Sequence, residues 1–570
     1  MSDQTVSTHL VPPVRTAVRE AVERAWGTAV RSGALPPVPT DAAVPEVEVS
    51  RPANPEHGDI AANLALKLAR PLRRPPMAIA EAIAAEMRNA AADPAAQSPV
   101  AEVSVAAPGF LNVRLSPAFL ETALDEARDA DSAFGRVAAP GPKHVNVEFV
   151  SANPTGPLTV GNARGAFVGD LLCRVLESAG HRVTREYYFN DSGRQVLLLG
   201  ASVAARRTNE PLPEDGYHGD YVDQLARELP EEVWARTVEP GADRDAILGA
   251  WASGRIRAGI ENSLASLGVH FDVWKSESSL HTEGWVQRAV QRLRDAGHVF
   301  EQDGATWFRS TAFGDDKDRV IYRTTGEPTY FASDIGYVVE KFSRGFDRLV
   351  YIWGADHHGT VARVRNAAEA MGYEKDAVEM LLVAWVRFVR DGREVSMSKR
   401  AGEFVTLDEL LAEVGADAAR WYFGSRAHTT GIDFDIELAK KQSNENPVYY
   451  VQYAHARIAS ILRKATGAGL APAPSLVGAL ADDPVAQGLA KEILRLPEVT
   501  EDAAAAEETQ GVTAYATELA TTFHAYYRDR RVVDPADPGT SATRLALVDA
   551  TRLALRNTLA LLGISAPDSM

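Results

Sequence analysis

The chain has 570 residues, 45% of them hydrophobic and 24% charged, with a formal net charge of -17. That length predicts roughly three or four domains. No apolar run approaches the roughly 20 residues of a membrane helix, and Met1 to Leu10 lacks the basic and apolar regions of a signal peptide. Cys173 is the only cysteine, which excludes a disulfide framework and a Cys-based zinc cluster and points to a reducing, cytoplasmic setting. The acidic total opposes non-specific binding to nucleic acid, yet it allows a local basic track.

Residues 1–140 read as a separate N-terminal domain. Lys67, Arg70, Arg73 and Arg74 form a basic cluster within it. Ile79 to Ala92 is rich in Ala and predicts a helix, with Pro94 beyond it as a stop. Val103 to Leu115 holds two short alternating runs joined by a turn at Pro108-Gly109. The run Ala138 to Pro142 reads as a linker. Val145, Val147 and Phe149 then alternate with Asn146 and Glu148, a strand with one apolar face. After a loop, Val168, Leu171, Leu172, Val175 and Leu176 lie on one helical stripe that Gly180 ends, and Val183 to Phe189 returns as a strand. This is a βαβ unit. Cys173 lies beside the stripe and reads as a small core residue.

Residues from about 193 to 319 read as amphipathic helices inserted into the fold. A second strand, loop and helix run from Leu349 to Gly359, and from about Thr406 onward the pattern is almost entirely helical. The expected class is a multidomain α/β chain. It has an α+β N-terminal domain, a Rossmann-like nucleotide-binding core with insertions over 141–405, a connecting helical segment over 406–443 and an all-α domain over 444–570.

Three segments carry chemistry. The first is the loop Ser151-Ala152-Asn153-Pro154-Thr155-Gly156-Pro157-Leu158-Thr159-Val160-Gly161-Asn162. It joins a strand end to a helix N-terminus, where free N–H groups and the helix dipole favour phosphate. Gly156 and Gly161 allow close backbone approach, and Pro154 and Pro157 stiffen it. The second is Glu394-Val395-Ser396-Met397-Ser398-Lys399-Arg400-Ala401-Gly402, a short polar loop with an ammonium suited to charge building on phosphate. The third is Gly354-Ala355-Asp356-His357-His358-Gly359 after a strand. Its adjacent histidines point apart in extended chain, so loop hydrogen bonding is the expectation and a protein-held metal is not.

The first segment resembles the nucleotide-binding signature of class I aminoacyl-tRNA synthetases, His-Ile-Gly-His, with Thr159 and Asn162 in place of the histidines. The second resembles the Lys-Met-Ser-Lys-Ser loop of that class, with Ser396 for the first lysine and Lys399 for the second. Within the class, nearly the whole chain resembles arginyl-tRNA synthetases in family order. Glu56-His57-Gly58-Asp59 and Gly109-Phe110-Leu111-Asn112 resemble the N-terminal tRNA-contacting domain. Tyr217 to Tyr221, Phe271 to Ser278 and Phe313 to Arg319 resemble the insertions, and Asn446 to Arg457 resembles the opening of the helical anticodon-binding domain.

The resemblance implies an arginine–tRNA ligase that uses ATP with Mg2+ as a substrate complex, L-arginine and tRNA(Arg), as a cytoplasmic monomer with no membrane partner. It implies Thr159, Asn162, Ser398 and Lys399 as the catalytic set. Pro154, Gly156, Gly161, Trp353, Gly354, Asp356, His357 and Met397 would hold ATP. Glu148, Asn153, Glu277, Tyr330, Asp334 and His358 would hold arginine. Phe110, Asn112, Tyr450, Tyr453 and Met570 would meet tRNA, and tRNA would be needed for the first step. A fixed guanidinium charge with five donors calls for such carboxylates. Thr159 keeps an O–H donor and Asn162 an N–H donor for the phosphates. The changes at Thr159, Asn162 and Ser396 keep open a synthetase-like paralogue that binds tRNA or nucleotide without aminoacylation, and a weaker alternative is a class I synthetase for another amino acid. The acidic set and Lys399 favour the ligase.

Overall fold

The computed structural model describes residues 10–93, 98–395 and 406–570. The N-terminal unit is a four-stranded antiparallel sheet with helices. Its elements are α1 (Val14–Arg31), β1 (Val49–Ser50), β2 (Ile60–Ala62), α2 (Leu64–Leu72), α3 (Pro76–Ala91), β3 (Val100–Ala106), β4 (Phe110–Leu115) and α4 (Pro117–Ala130), with strand order β1-β2-β4-β3. Val14, Val18, Val22, Ala25 and Ala29 give α1 a buried stripe at helical spacing.

The central unit begins with β5 (His144–Glu148), α5 (Val160–Ser178) and β6 (Arg182–Phe189). Four helices follow, α6 (Arg194–Thr208), α7 (Asp220–Glu228), α8 (Glu231–Arg236) and α9 (Arg244–Ser266). Then come β7 (Val273–Ser276), α10 (Glu277–Thr282), α11 (Trp285–Asp295), β8 (Val299–Gln302), β9 (Ala305–Phe308) and β10 (Arg319–Tyr322). The unit closes with α12 (Tyr330–Ser343), β11 (Arg348–Gly354), α13 (His358–Ala370), β12 (Val378–Val383), β13 (Val386–Arg390) and β14 (Arg393–Glu394). The main sheet runs β12-β11-β5-β6-β7 with every pair parallel. Strand order reverses between β5 and β11, and the crevice beyond their carboxyl ends is where such folds bind ligands. Gly169 on α5 lets the sheet and helix close, because a Cβ there would overlap the Phe149 ring.

The helical expectation for 193–319 needs correction. Val273–Ser276 is an edge strand of the main sheet, and β8, β9 and β10 form a separate three-stranded antiparallel sheet. These strands have four residues each, too short for alternation to stand out. The region after Thr406 is likewise not purely helical. After α14 (Leu407–Val414) and α15 (Ala416–Gly424), β15 (Ile432–Asp435) pairs parallel with β13. Residues 406–443, which end with α16 (Ile436–Lys440), therefore share a sheet with the central unit.

The rest is a bundle of α17 (Pro447–Gly467), α18 (Pro484–Ile493), α19 (Leu496–Ala506), α20 (Gln510–Asp529) and α21 (Pro538–Leu562). The N-terminal unit is clasped to it by charge. Arg51 Nε donates to Glu498 at 2.7 Å, Arg15 pairs with Glu501 and Asp502, and Lys491 Nζ lies 2.8 Å from Asp59. Glu121 accepts from the backbone N–H groups of Gly478 and Leu480 at 2.8 and 2.7 Å. Among the described residues, no helix is long and apolar enough to cross a membrane.

Candidate active site

A cavity of about 1250 Å³ opens at the carboxyl ends of β5, β6 and β11. Its first wall is the loop from β5 to α5. Val150 and Ser151 both have left-handed backbone, φ 66 and 42, which is costly for a β-branched residue. Ser151 holds the bend: its hydroxyl donates to Glu148 Oε1 at 3.1 Å and accepts from the Tyr188 N–H at 3.2 Å. Asn153, Gly161 and Asn162 line the cavity. Asn153 Nδ2 donates to Gln195 at the start of α6, at 2.9 Å. Pro154, Gly156 and Thr159 do not line it; Pro154 is buried, and Gly156 faces the Tyr221 hydroxyl. The first turn of α5 holds no acidic residue, so its N–H groups meet the cavity without a competing charge.

The Thr159 hydroxyl was expected as a donor to phosphate. It donates instead to Asn162 Oδ1 at 2.9 Å. A Thr-x-x-Asn spacing at a helix start favours this reciprocal cap, and it draws Thr159 away from the cavity.

The second wall is α12. Thr329 caps it, accepting from the Ala332 N–H at 3.3 Å. Tyr330, Asp334, Tyr337 and Lys341 follow one another at three- and four-residue steps on one face. Tyr330 is 76% exposed at the mouth, while Asp334 lies a turn deeper on the lining. Lys341 is fully buried. Its Nζ lies 2.7 Å from Glu148 Oε2 and 4.3 and 3.9 Å from the ring centroids of Tyr337 and Tyr351. Behind it, Glu186 accepts from Asn146 Nδ2 at 2.7 Å, from Arg344 at 2.8 Å and from the Tyr337 hydroxyl.

Glu148, Glu277 and Asp334 converge on this floor. Burial and the like charges of Glu148 and Glu277 push Asp334 up to about 7. Burial also raises Glu277, with Asp191 adding to it. Glu148 is raised by burial, against the pull of Lys341. Glu186, despite its burial, is held below the ordinary carboxylate range by Lys341 and Arg344. Crowded carboxylates whose pKa values rise are poised for a cationic guest. Arg363 also lines the cavity and its charge faces Asp334; its Nη2 donates to Thr360 at 2.7 Å, and its buried Nε has no partner among the described residues.

The third wall follows β11. Trp353, Gly354, Asp356 and His357 line it, with the Trp353 and His357 rings 5.6 Å apart. A Cβ on Gly354 would collide with Asp356 Oδ1. His358 is exposed on the first turn of α13 and does not line the cavity. Opposite, buried Arg164 donates to the carbonyls of Ala384 and Ala427, each at 2.9 Å, and fixes the strap between β12 and β13. Burial lowers it to about 10. Met397, Ser398 and Lys399 lie outside the described residues. Downstream of that segment, Thr406 bridges Thr159 and the Leu407 N–H donates to the Leu158 carbonyl at 2.9 Å.

Sequence reasoning missed Ser151, Lys341, Arg363 and Arg164. Lys341 had a signal, since extending the Tyr330 and Asp334 stripe by three and seven residues reaches Tyr337 and Lys341.

The RNA-facing candidates lie elsewhere. Phe110 is 37% exposed and Asn112 is buried, two residues apart on β4. Tyr450 and Tyr453 flank His524, ring centroids 5.1 and 6.2 Å away, and Arg457 lies over Tyr453 and Tyr527. Met570 is 53% exposed.

The strand order, the crevice at the sheet's reversal point and the helix end that faces it define a class I aminoacyl-tRNA synthetase fold. The family model described as "tRNA synthetases class I (R), catalytic domain" matches residues 127–422. The "Arginyl tRNA synthetase N terminal domain" matches 13–115, and the "DALR anticodon binding domain" matches 451–570. The arginine–tRNA ligase of Geobacillus kaustophilus is 42% identical over 569 residues, covering 99% of this chain and 100% of that one. That of Bacillus licheniformis is 42% identical over 537 residues, covering 92% and 95%. The solved Thermus thermophilus arginyl-tRNA synthetase has a TM-score of 0.73 and 26% identity, covering 97% of this chain and 100% of that one. The chain belongs to the arginyl-tRNA synthetase family.

Proposed function

We infer that the chain is an arginine–tRNA ligase that activates L-arginine with ATP and transfers it to the terminal ribose of tRNA(Arg). Family membership over the whole chain supports the reaction. The observation that carries the amino-acid choice is the convergence of Glu277 and Asp334, both raised, beside Glu148. A guanidinium seated there relieves their mutual repulsion and receives charge-assisted hydrogen bonds. Tyr330 covers the pocket's mouth. Asn153 and Glu148 face the substrate's carboxylate and ammonium, with Lys341 setting the charge on Glu148. Trp353, Gly354, Asp356 and His357 form the adenosine side, and Gly161 and Asn162 the phosphate side at the α5 terminus. Pro154 and Gly156 shape the loop from behind. His358 has no assigned contact.

The arginine carboxylate attacks the α-phosphate in line and pyrophosphate leaves with its magnesium. The ribose hydroxyl of tRNA then attacks the adenylate carbonyl, releasing AMP. The chain contributes positioning and charge rather than a covalent nucleophile. By the family resemblance, Lys399 and Ser398 meet the phosphates and Met397 helps to hold ATP. Phe110 and Asn112 would hold one unstacked base, and Tyr450, Tyr453 and Met570 would meet the anticodon arm. The same resemblance implies a cytoplasmic monomer and a first step that needs tRNA.

The test is aminoacylation of total tRNA with each labelled amino acid in turn, with ATP and magnesium. Arginyl-tRNA alone is expected. Charging with another amino acid refutes the pocket assignment, and nucleotide binding without charging selects the non-aminoacylating paralogue. Pyrophosphate exchange with and without tRNA decides the order of steps.

A further inference from the structure

Thr159 and Asn162 share one hydrogen-bonded device at the start of α5. Thr159 has extended backbone, φ -91 and ψ 160, and precedes the first helical turn. Its backbone N–H donates to Asn162 Oδ1 at 3.1 Å and its hydroxyl donates to the same oxygen at 2.9 Å. A backbone N–H can only donate, so the atom facing it is the amide oxygen and the carboxamide has one orientation. Both acceptor directions of Oδ1 are then occupied. Among the described residues no hydrogen bond takes up Nδ2, and Asn162 lines the cavity while Thr159 does not.

We propose that Thr159 is a positioning residue whose hydroxyl and N–H aim the Asn162 amide, so that Asn162 Nδ2 alone makes the side-chain contact to the ATP phosphates at this helix end. The proposal rests on the ligase reading and revises the expectation of two independent donors. The two residues do different work. One is a phosphate donor without a titrating proton, and the other fixes which face of that donor the nucleotide meets. A carboxamide free to turn would present oxygen to phosphate half of the time, and two lone-pair atoms repel. The cap removes that orientation before ATP arrives, which is preorganisation by a local backbone contact.

The experiment is a double-mutant cycle on the full chain, reading kcat and the KM for ATP during arginylation of tRNA. Asn162→Ala is expected to lower kcat about ten- to hundredfold, the worth of one hydrogen bond to a charged group. Thr159→Val keeps the side chain's shape and removes the hydroxyl. It is expected to cost about three- to tenfold in kcat, and Thr159→Ser is expected to recover wild-type turnover within about twofold. The doubly substituted chain should be no slower than Asn162→Ala alone, since nothing remains to be aimed. Losses that multiply in the double variant overturn the proposal, because they give Thr159 a contact of its own or a general role in holding the helix. Unchanged kcat in Thr159→Val, or no recovery with Ser, overturns it as well. If the unaltered chain forms no arginyl-tRNA, the ligase reading falls and the proposal with it. An active chain with independent losses defeats the proposal alone.

Discussion

The acid cluster makes arginine binding depend on pH, and Asp334→Asn isolates the cause. Asp334 is pushed up to about 7 by burial and by Glu148 and Glu277, so near neutrality about half of the unliganded molecules carry a proton there. A guanidinium favours the ionised carboxylate, so arginine binding expels that proton. Above the unliganded pKa there is nothing to expel and affinity is level; below it affinity falls with pH. The ionised fraction drops from about 0.9 at pH 8 to about 0.1 at pH 6, which predicts roughly tenfold weaker arginine binding across that interval. The Asn variant loses one charge-assisted contact, about 1.5–3 kcal/mol, or about 10- to 150-fold in arginine affinity at pH 8. Its own pH profile should be nearly flat, so the gap between the two proteins narrows about tenfold by pH 6. The same shift acts on folding with a definite sign. A carboxyl raised above its unfolded value of about 3.9 loses stability as pH rises from about 4 to about 7, and the loss persists above that. Removing the charge should therefore raise Tm more at pH 8 than at pH 5, with at most about 4 kcal/mol at stake. Calorimetric titration of arginine in two buffers of different ionisation enthalpy reads the proton release directly. Level wild-type affinity from pH 6 to 8, or an equal slope in the variant, refutes the reasoning.

Three further outcomes follow from other parts of the molecule. Lys341→Met leaves Glu148 buried and unpaired, which should cost about 3–5 kcal/mol in urea unfolding; a loss under about 1 kcal/mol would show that the pair is not holding the floor. Lys399→Ala should lower kcat about a hundredfold with the KM for arginine within about twofold, and a change confined to KM contradicts its assignment to the phosphates. Phe110→Ala should raise the KM for tRNA about tenfold, the worth of one stacked base, and leave the KM for arginine unchanged; equal loss for a substrate that never touches that domain would point to misfolding instead.

The sequence was most legible where one period ran without interruption. Val145, Val147 and Phe149, followed by the α5 stripe, announced the βαβ unit at the heart of the sheet. It was least legible where the chain folds in four-residue pieces. Val273–Ser276 gains its strand character from pairing with β6, a partner more than eighty residues away in the chain, and nothing local declares it. In β15, buried Ile432 and Phe434 alternate with Asp433 and Asp435, a signal drowned by the helices around it. Within the site, Tyr330 and Asp334 were readable as one helical face. Lys341 continues that face at helical spacing, but a lysine in a helix reads as solvent-facing until a buried carboxylate is found opposite. The Thr159 cap was local, and its three-residue spacing was there to be read. What concealed it was the expectation that both side chains point toward phosphate.

The charged clasp between the N-terminal unit and the C-terminal bundle has a consequence for substrate choice. Arg15, Arg51 and Lys491, with the Glu121 contacts, bind the two outer units to each other. Phe110 and the Tyr450–Tyr453 pair thus sit on one joined frame. On the ligase reading that frame would work as a caliper. An RNA that is to meet Phe110 and the Tyr450–Tyr453 pair together would have to match the distance between them.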